Sequence, residues 1–273
     1  MKVLSVLRDV RYSPNSETND RSIMESVVRL LQDAGHHVDV VAEAELPATG
    51  RCLYGYDICL TMGRRPETLE IMKEMEHDGT VVLNSAAGLE RCRRSTLDTL
   101  MRRHGVSMPP QEGHHGWWLK RGDASAQDAD DVIFCQQPED VEKAMRAFRS
   151  RGITDVVKSA HVEGDLVKFY GVLGTGFFHT LYPTSVGRSK FGAERMNGMP
   201  HYYSYDKRRL QSEAERLSQL ALTPIYGGDC IVDAEGRFYI IDFNDWPSFS
   251  PCREEAAAAI ASLAQANISS KLD

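Results

Sequence analysis

Residues 227–249 read GGDCIVDAEGRFYIIDFNDWPSF. Two runs rich in β-branched and aromatic residues flank Asp233-Ala234-Glu235-Gly236, the composition of a β-hairpin. Side chains alternate between the faces of a strand, so Asp242 and Asn244 project together while Tyr239, Ile241 and Phe243 take the other side. With a turn over 233–236, Val232 pairs with Arg237, and counting back sets Asp229 opposite Ile240, on the Asp242 and Asn244 face. The diagonal from Asp229 to Asp242 is then about 7 Å between backbones, within reach of two carboxylates closing on one cation. Oxygen donors of this kind suit Mg²⁺ or Mn²⁺, above all where substrate phosphates complete an octahedron. A strand end with its acids facing water carries the same residues, and the hairpin alone leaves both readings open.

Upstream, the first ninety residues alternate strand and helix. A strand over 2–7 precedes a helix capped by Asn19 or Asp20, with Ile23, Val27, Leu30 and Leu31 at helical spacing before Gly35 stops it. Strands over 38–42, 57–62 and 80–84 and a helix opened by Pro66 complete a parallel α/β unit. Its first strand leads into RDVRYSPNSETND rather than a G-x-G-x-x-G turn, which argues against a Rossmann dinucleotide site. Residues 89–104 read as one basic amphipathic helix ended by Gly105, followed by a loop over 109–115. Beyond residue 88 the pattern changes to hairpins: strands over 117–120, 132–135, 155–162, 166–173 and 177–182, helices over 138–151 and 210–222, and an alanine-rich helix opened by Ser250-Pro251.

The chain has 273 residues, 42% of them hydrophobic and 26% charged, which is ordinary for a globular protein of two or three packed units. A net charge of −7 argues against a general nucleic-acid coat, which needs a positive surface. The acidity is uneven, however. Residues 90–104 carry five arginines against Glu90 and Asp98, and residues 186–210 carry six basic residues against Glu194 and Asp206, so a local polyanion site remains open. No run approaches the roughly 18 apolar residues of a membrane span, and the start meets Arg8-Asp9 too soon for a secretory signal. A soluble, cytoplasmic protein is expected, with no membrane or nucleic-acid partner. The six cysteines include no C-x-x-C pair, so reduced, buried thiols are expected.

Phosphates need positive partners. Lys120 ends the strand WWLK just before the small-residue loop 121–126, where an ammonium and backbone N–H groups can share a phosphate. Lys168 alternates with Leu166 and Tyr170 and can point into the same cleft. Each lysine taken alone reads first as a surface residue.

The order of these features resembles the ATP-grasp superfamily, whose members include D-Ala-D-Ala ligase, glutathione synthetase and the ribosomal-protein glutamate ligases. That resemblance implies α/β plus α+β architecture: a small parallel-sheet domain over 1–88, a small ATP-grasp (lid) subdomain with its entry helix over 89–165, and a C-terminal subdomain over 166–273 carrying the metal ligands. Asp229, then Asp242-x-Asn244, then Pro247 match the family's metal motif. Lys120 matches the phosphate-binding lysine ahead of the lid, and Arg94 stands where the family has a first basic residue at a helix head. Arg for Lys keeps the charge and changes the fork. The adenine hinge falls on 158–162, implying nucleotide contacts from Ser159, Ala160, His161 and Val162, with Glu163 or Asp165 reaching ribose hydroxyls. Ser159-Ala160 stands where relatives often carry an acid, and the lid is poorer in glycine than usual. Lys168 matches the basic residue that steadies the transferred phosphoryl group.

The implied activity is ATP- and Mg²⁺-dependent ligation of a small-molecule or peptide carboxylate to an amine through an acyl phosphate, with positioning and charge neutralisation as the protein's task. Substrate contacts are expected from Arg8, Arg11, Tyr12 and Asn15, from 188–205, and from 248–253, where Arg253 and a helix N-terminus can receive an anion. Two alternatives stay open: a kinase of the inositol-phosphate-kinase kind acting on a hydroxyl, and a nucleotide-binding regulator without turnover. A homodimer is compatible with the sequence.

Overall fold

The computed structural model describes residues 1–13, 16–46, 53, 55–123, 129–183 and 199–272. Three sheets organise them. The first is wholly parallel, in the order β2-β1-β3-β4, from β1 (Lys2–Leu7), β2 (His37–Ala42), β3 (Ile58–Thr61) and β4 (Val81–Leu83). Its helices are α1 (Glu17–Asp33) and α2 (Pro66–His77). The buried stripe of α1 is Ile23, Met24, Val27, Val28 and Leu31, and Gly35 ends it at φ +83°. The cap is Ser16, not Asn19 or Asp20; Asp20 lies in the first turn, buried against Arg8.

The expected helix over 89–104 is two helices, α3 (Ala86–Arg91) and α4 (Arg94–Arg103). Ser85 caps α3 by accepting from the Gly88 amide at 3.0 Å, and extended Arg93 breaks the path before α4 begins. Apolar periodicity continues across the break, which is why the two read as one.

The second sheet is antiparallel, in the order β6-β5-β7, from β5 (Trp117–Arg121), β6 (Val132–Cys135) and β7 (Val156–Ala160), with α5 (Pro138–Ser150) on it. Leu119, Cys135, Ala144, Phe148 and Ile153 form its separate core. The third sheet, β11-β10-β8-β9, is antiparallel throughout: β8 (Asp165–Val172), β9 (Phe177–Leu181), β10 (Ile225–Val232) and β11 (Phe238–Asp245). It packs on α6 (Lys207–Ala221) through Phe169, Tyr226, Phe243, Leu210 and Leu217, with Tyr226 and Phe243 stacked at 5.3 Å.

The terminal helix α7 (Arg253–Leu272) leaves the third sheet and lies on α1. Ala256, Ala257 and Ala264 let the two helices approach, and one core joins Val3, Ile58 and Leu60 to Val172, Ile225 and Ile260. Asn84 joins the first and third sheets: its Nδ2 donates to the Ile225 carbonyl at 2.8 Å, and its Oδ1 accepts from the Ile225 amide at 3.0 Å. The mixed parallel and antiparallel architecture is the one expected. Cys59, Cys135, Cys230 and Cys252 are buried free thiols, Cys92 is half-buried, and Cys52 lies outside the described residues. Among the described residues no helix is long and apolar enough to cross a membrane.

Candidate functional site

The β10–β11 hairpin differs from expectation in two places that cancel. The turn is one residue longer, because Asp233 closes it by donating its amide to the Arg237 carbonyl at 2.9 Å, so Val232 pairs with Phe238. In that register Phe238 and Ile240 face the core, and strict alternation would send Asp242 and Asn244 inward as well. A β-bulge at Ile241 shifts the phase: Cys230 pairs with Ile240, but Asp229 pairs with Asp242 and Gly227 with Asn244. Phe243 and Asp245 are buried instead, and Asp229, Asp242 and Asn244 share the outer face. Asp229 thus stands opposite Asp242, not Ile240.

These three residues line a cavity of about 490 Å³ between the sheets, together with Arg94, Lys120 and Lys168. Lys168 faces Asp229 in the β8–β10 register, with its Nζ 3.2 Å from Asp229 Oδ1. Lys120 reaches across from β5 and donates to the Ile241 carbonyl at 2.9 Å. Arg94, at the head of α4, donates to the Arg121 carbonyl at 3.0 Å. Burial, and after it the Arg94 charge, lowers the Lys120 pKa against the pull of Asp242 and Asp229. Burial also raises the Asp242 pKa, but Arg94, Lys120, a hydrogen bond from Asn244 and Lys168 outweigh it and hold the carboxyl below its usual range. Asp242 is therefore an anion among cations.

The hinge closes the far wall. The His161 amide donates to the Gly116 carbonyl at 2.9 Å, so Trp117 and Ala160 form a non-hydrogen-bonded pair whose backbone groups point away from each other. The Ala160 amide is taken by the Pro110 carbonyl at 2.7 Å, the Ala160 carbonyl points to the same outer side, and Val162, just past the end of β7, lines the cavity with it. Carbonyl at one residue and N–H two residues on is a donor–acceptor pair matched to the N6 and N1 edge of adenine. Trp118, Phe134 and His161 cluster beside it, tilted or edge-on, with centroids 5.1 Å apart for Trp118–Phe134 and 5.3 Å for Phe134–His161. Burial lowers the His161 pKa, and the neutral ring accepts from Trp118 Nε1 at Nδ1, 3.1 Å away.

Other expected residues fall elsewhere. Glu163 lies outside the cavity lining, exposed and 3.2 Å from His115. Asp165 is buried, its carboxylate accepting the amides of His201 at 2.7 Å and Tyr203 at 2.8 Å, so it does not face a ribose. Arg253 also lies outside the lining and donates from Nη2 to Asn19 Oδ1 at 2.9 Å, which ties α7 to α1. Arg8, Arg11, Tyr12 and Ser248 do line the cavity. Asn15, residues 188–198 and the loop residues 124–126 lie outside the described residues.

The cavity also contains Arg64, which sequence inspection passed over. It follows the C-terminal end of β3, where open parallel sheets collect ligand-facing residues, and that position was the available signal.

Among the described residues no group of three or more His, Cys, Asp or Glu stands where it could hold a metal ion. A cation here would have two carboxylates and the Asn244 amide. That set fits Mg²⁺ chemically: all three are oxygen donors on one face, and Asp242 is held ionised.

No protein-family model and no curated protein matches this sequence. Solved structures do match its fold. The D-alanine–D-alanine ligase of Bacillus anthracis complexed with ATP superposes with a TM-score of 0.67 at 10% identity, covering 99% of each chain. The D-alanyl-alanine synthetase A of Vibrio cholerae gives 0.68 at 10% identity over 99% of each chain. A RimK domain protein of the ATP-grasp kind from Sphaerobacter thermophilus gives 0.63 at 17% identity, covering 96% of this chain and 99% of its own. This chain shares the fold of these structures.

Proposed function

We propose that this protein is an ATP-dependent ligase that joins a small-molecule or peptide carboxylate to an amine. The observation that carries this reading is the convergence of Arg94, Lys120 and Lys168 on the Asp229, Asp242 and Asn244 face, inside a cavity whose far wall offers an adenine-shaped backbone edge. The solved structures of like fold include ligases, one of them complexed with ATP, which supports the same reading.

The purine sits against Trp118 and the β7 edge, its N6 amino group donating to the Ala160 carbonyl and its N1 accepting from the Val162 amide. Lys120 and Arg94 take the inner phosphates. Asp229, Asp242 and Asn244 would hold Mg²⁺, which would supply charge neutralisation for the phosphates. Lys168, beside Asp229, would steady the γ-phosphoryl group. A substrate carboxylate oxygen attacks the γ-phosphorus, the bond to the bridging oxygen breaks, and ADP leaves with an acyl phosphate in place. The amine nitrogen then attacks the acyl carbon, phosphate departs with the C–O electron pair, and the amine loses a proton to give the amide. No protein nucleophile is required; side chains position the reactants and neutralise charge.

Hydroxylamine trapping tests the proposal. With ATP, Mg²⁺ and a pool of candidate acids, an acyl phosphate gives a hydroxamate and stoichiometric ADP. A stable phosphorylated product with no hydroxamate would assign a kinase instead.

A further inference from the structure

Resting on the assignment of Asp229, Asp242 and Asn244 as the cation's ligands, we propose that Arg64 and Arg8 are positioning residues that set the ligand-bearing end of β11 from the N-terminal sheet. Asn244 needs such support. Its cross-strand neighbour is Gly227, which has no side chain to pack against it and lies close under Pro247, where an added Cβ would stand 2.8 Å from Pro247 Cγ. The residues after Asn244, Asp245 paired with Tyr226 among them, are also held from outside the third sheet. Arg64 Nη2 lies 2.7 Å from Asp245 Oδ1 and 3.2 Å from the Asp245 carbonyl, gripping side chain and backbone of one residue. Arg8 Nη2 donates to the Trp246 carbonyl at 2.8 Å.

Trp246 has a left-handed backbone at φ 37°, an unfavourable conformation for a bulky residue, and such a conformation persists only where its surroundings over-determine it. Its indole is buried, its amide donates to the Ile225 carbonyl at 3.0 Å, and its carbonyl is held by Arg8.

Both arginines are themselves fixed. Arg8 donates to Asp20 Oδ2 at 3.0 Å, where Ser13 also donates at 2.6 Å, and to the Met62 carbonyl at 3.2 Å. The loop bearing Arg64 hangs on Glu43, which is fully buried and accepts the amides of Arg64 and Arg65 at 2.5 Å each, and of Asp9 at 2.9 Å. A path of hydrogen bonds thus runs from Glu43 through Arg64 to Asp245, one peptide from Asn244. Partners beyond the ligands commonly set ligand geometry to a fraction of an ångström, and losing one costs about 10- to 100-fold in metal affinity.

Titrating a non-hydrolysable ATP analogue (AMP-PNP) by calorimetry across a Mg²⁺ series, and again without Mg²⁺, separates positioning from general packing. In Arg64→Gln the Mg²⁺ concentration for half-maximal enhancement of binding rises about tenfold, a larger change than any fall in the Mg²⁺-free affinity. Arg64→Lys keeps the charge beside Asp245 but loses the planar fork, and gives a smaller rise. An unchanged Mg²⁺ midpoint in folded Arg64→Gln and Arg8→Gln, or an equal fall with and without Mg²⁺, overturns the proposal. Should Arg64→Gln fail to fold, Arg64→Lys and Glu43→Gln decide it by the same two measurements. If wild type shows no Mg²⁺ enhancement, the ligand assignment itself fails and takes this proposal with it.

Discussion

Asp229 faces Asp242 directly across the β10–β11 pair, and the bulge at Ile241 puts the two carboxylates there. Two acids in register repel unless cations intervene, and Lys168, Lys120 and Arg94 do so before any metal arrives.

Asp242→Asn removes a ligand and an anion. Nucleotide with Mg²⁺ at about 100 times its Kd stabilises the wild type by about 2.7 kcal/mol, a melting shift of several degrees. In Asp242→Asn the Mg²⁺-dependent part of that shift disappears. A shift equal to wild type would remove Asp242 from the metal site.

Base selectivity follows from the β7 edge. Inosine triphosphate presents a carbonyl and an N–H where adenine presents an amino group and a bare nitrogen, so both contacts to Ala160 and Val162 become mismatched. Each unsatisfied group costs about 1–3 kcal/mol. Competition binding is expected to favour ATP over inosine triphosphate by at least about tenfold, and equal affinity would exclude this hinge geometry.

Lys120→Met separates stability from function. The side chain is half-buried and desolvation lowers its pKa, so removing it relieves that cost against the loss of the Ile241 bond and of positive charge beside Asp242, and the apo melting temperature moves by no more than about 3 °C. Turnover falls about 100-fold or more, because a charge aimed at the phosphates is gone. Loss of fold in this variant would contradict the first statement, and full activity the second.

Glu213 supplies a pH signature. Burial raises its pKa, but hydrogen bonds from Arg216 at 2.8 Å and from the Ser107 amide at 2.9 Å outweigh it and hold the carboxyl below its ordinary value. A carboxyl depressed in the folded state adds stability that is fully present above its unfolded pKa and is lost as pH falls through the folded one. Glu213→Gln therefore costs about 1–2 kcal/mol near neutrality, and the gap to wild type narrows below about pH 4 in denaturant titrations. A gap that widens on acidification would reverse the assignment.

Phe169 is fully buried at the centre of the third sheet, against Phe178, Tyr226 and Phe243. Phe169→Ala leaves a cavity that these rings cannot close and costs about 3–5 kcal/mol in urea unfolding.

The elements themselves were legible because composition, period and punctuation agreed: Pro66 and Pro138 at helix starts, Gly35 at an end, short apolar and aromatic runs in β5 and β6, alternation around Lys168 in β8. The outer face of Asp229, Asp242 and Asn244 was also legible, though through a register that does not occur. Neither a longer turn nor a bulge changes which residues are apolar, so composition cannot report them, and here they compensate. The break between α3 and α4 was hidden for a like reason, since helical periodicity survives one extended residue. Asp165 and Arg253 were misplaced because their partners, the His201 and Tyr203 amides and Asn19, are distant in sequence. Arg64 went unnoticed because its partner Asp245 lies 181 residues away.

The amide of Asn84 mimics one more rung of a ladder, donating to and accepting from Ile225 as a neighbouring strand would. With it, and with the core they share, the first and third sheets form one packed unit. The sheet of β5, β6 and β7 has its own separate core and reaches the β11 wall through the Lys120 side chain. Any swing of that smaller sheet away from β11 would break the bond from Lys120 to Ile241.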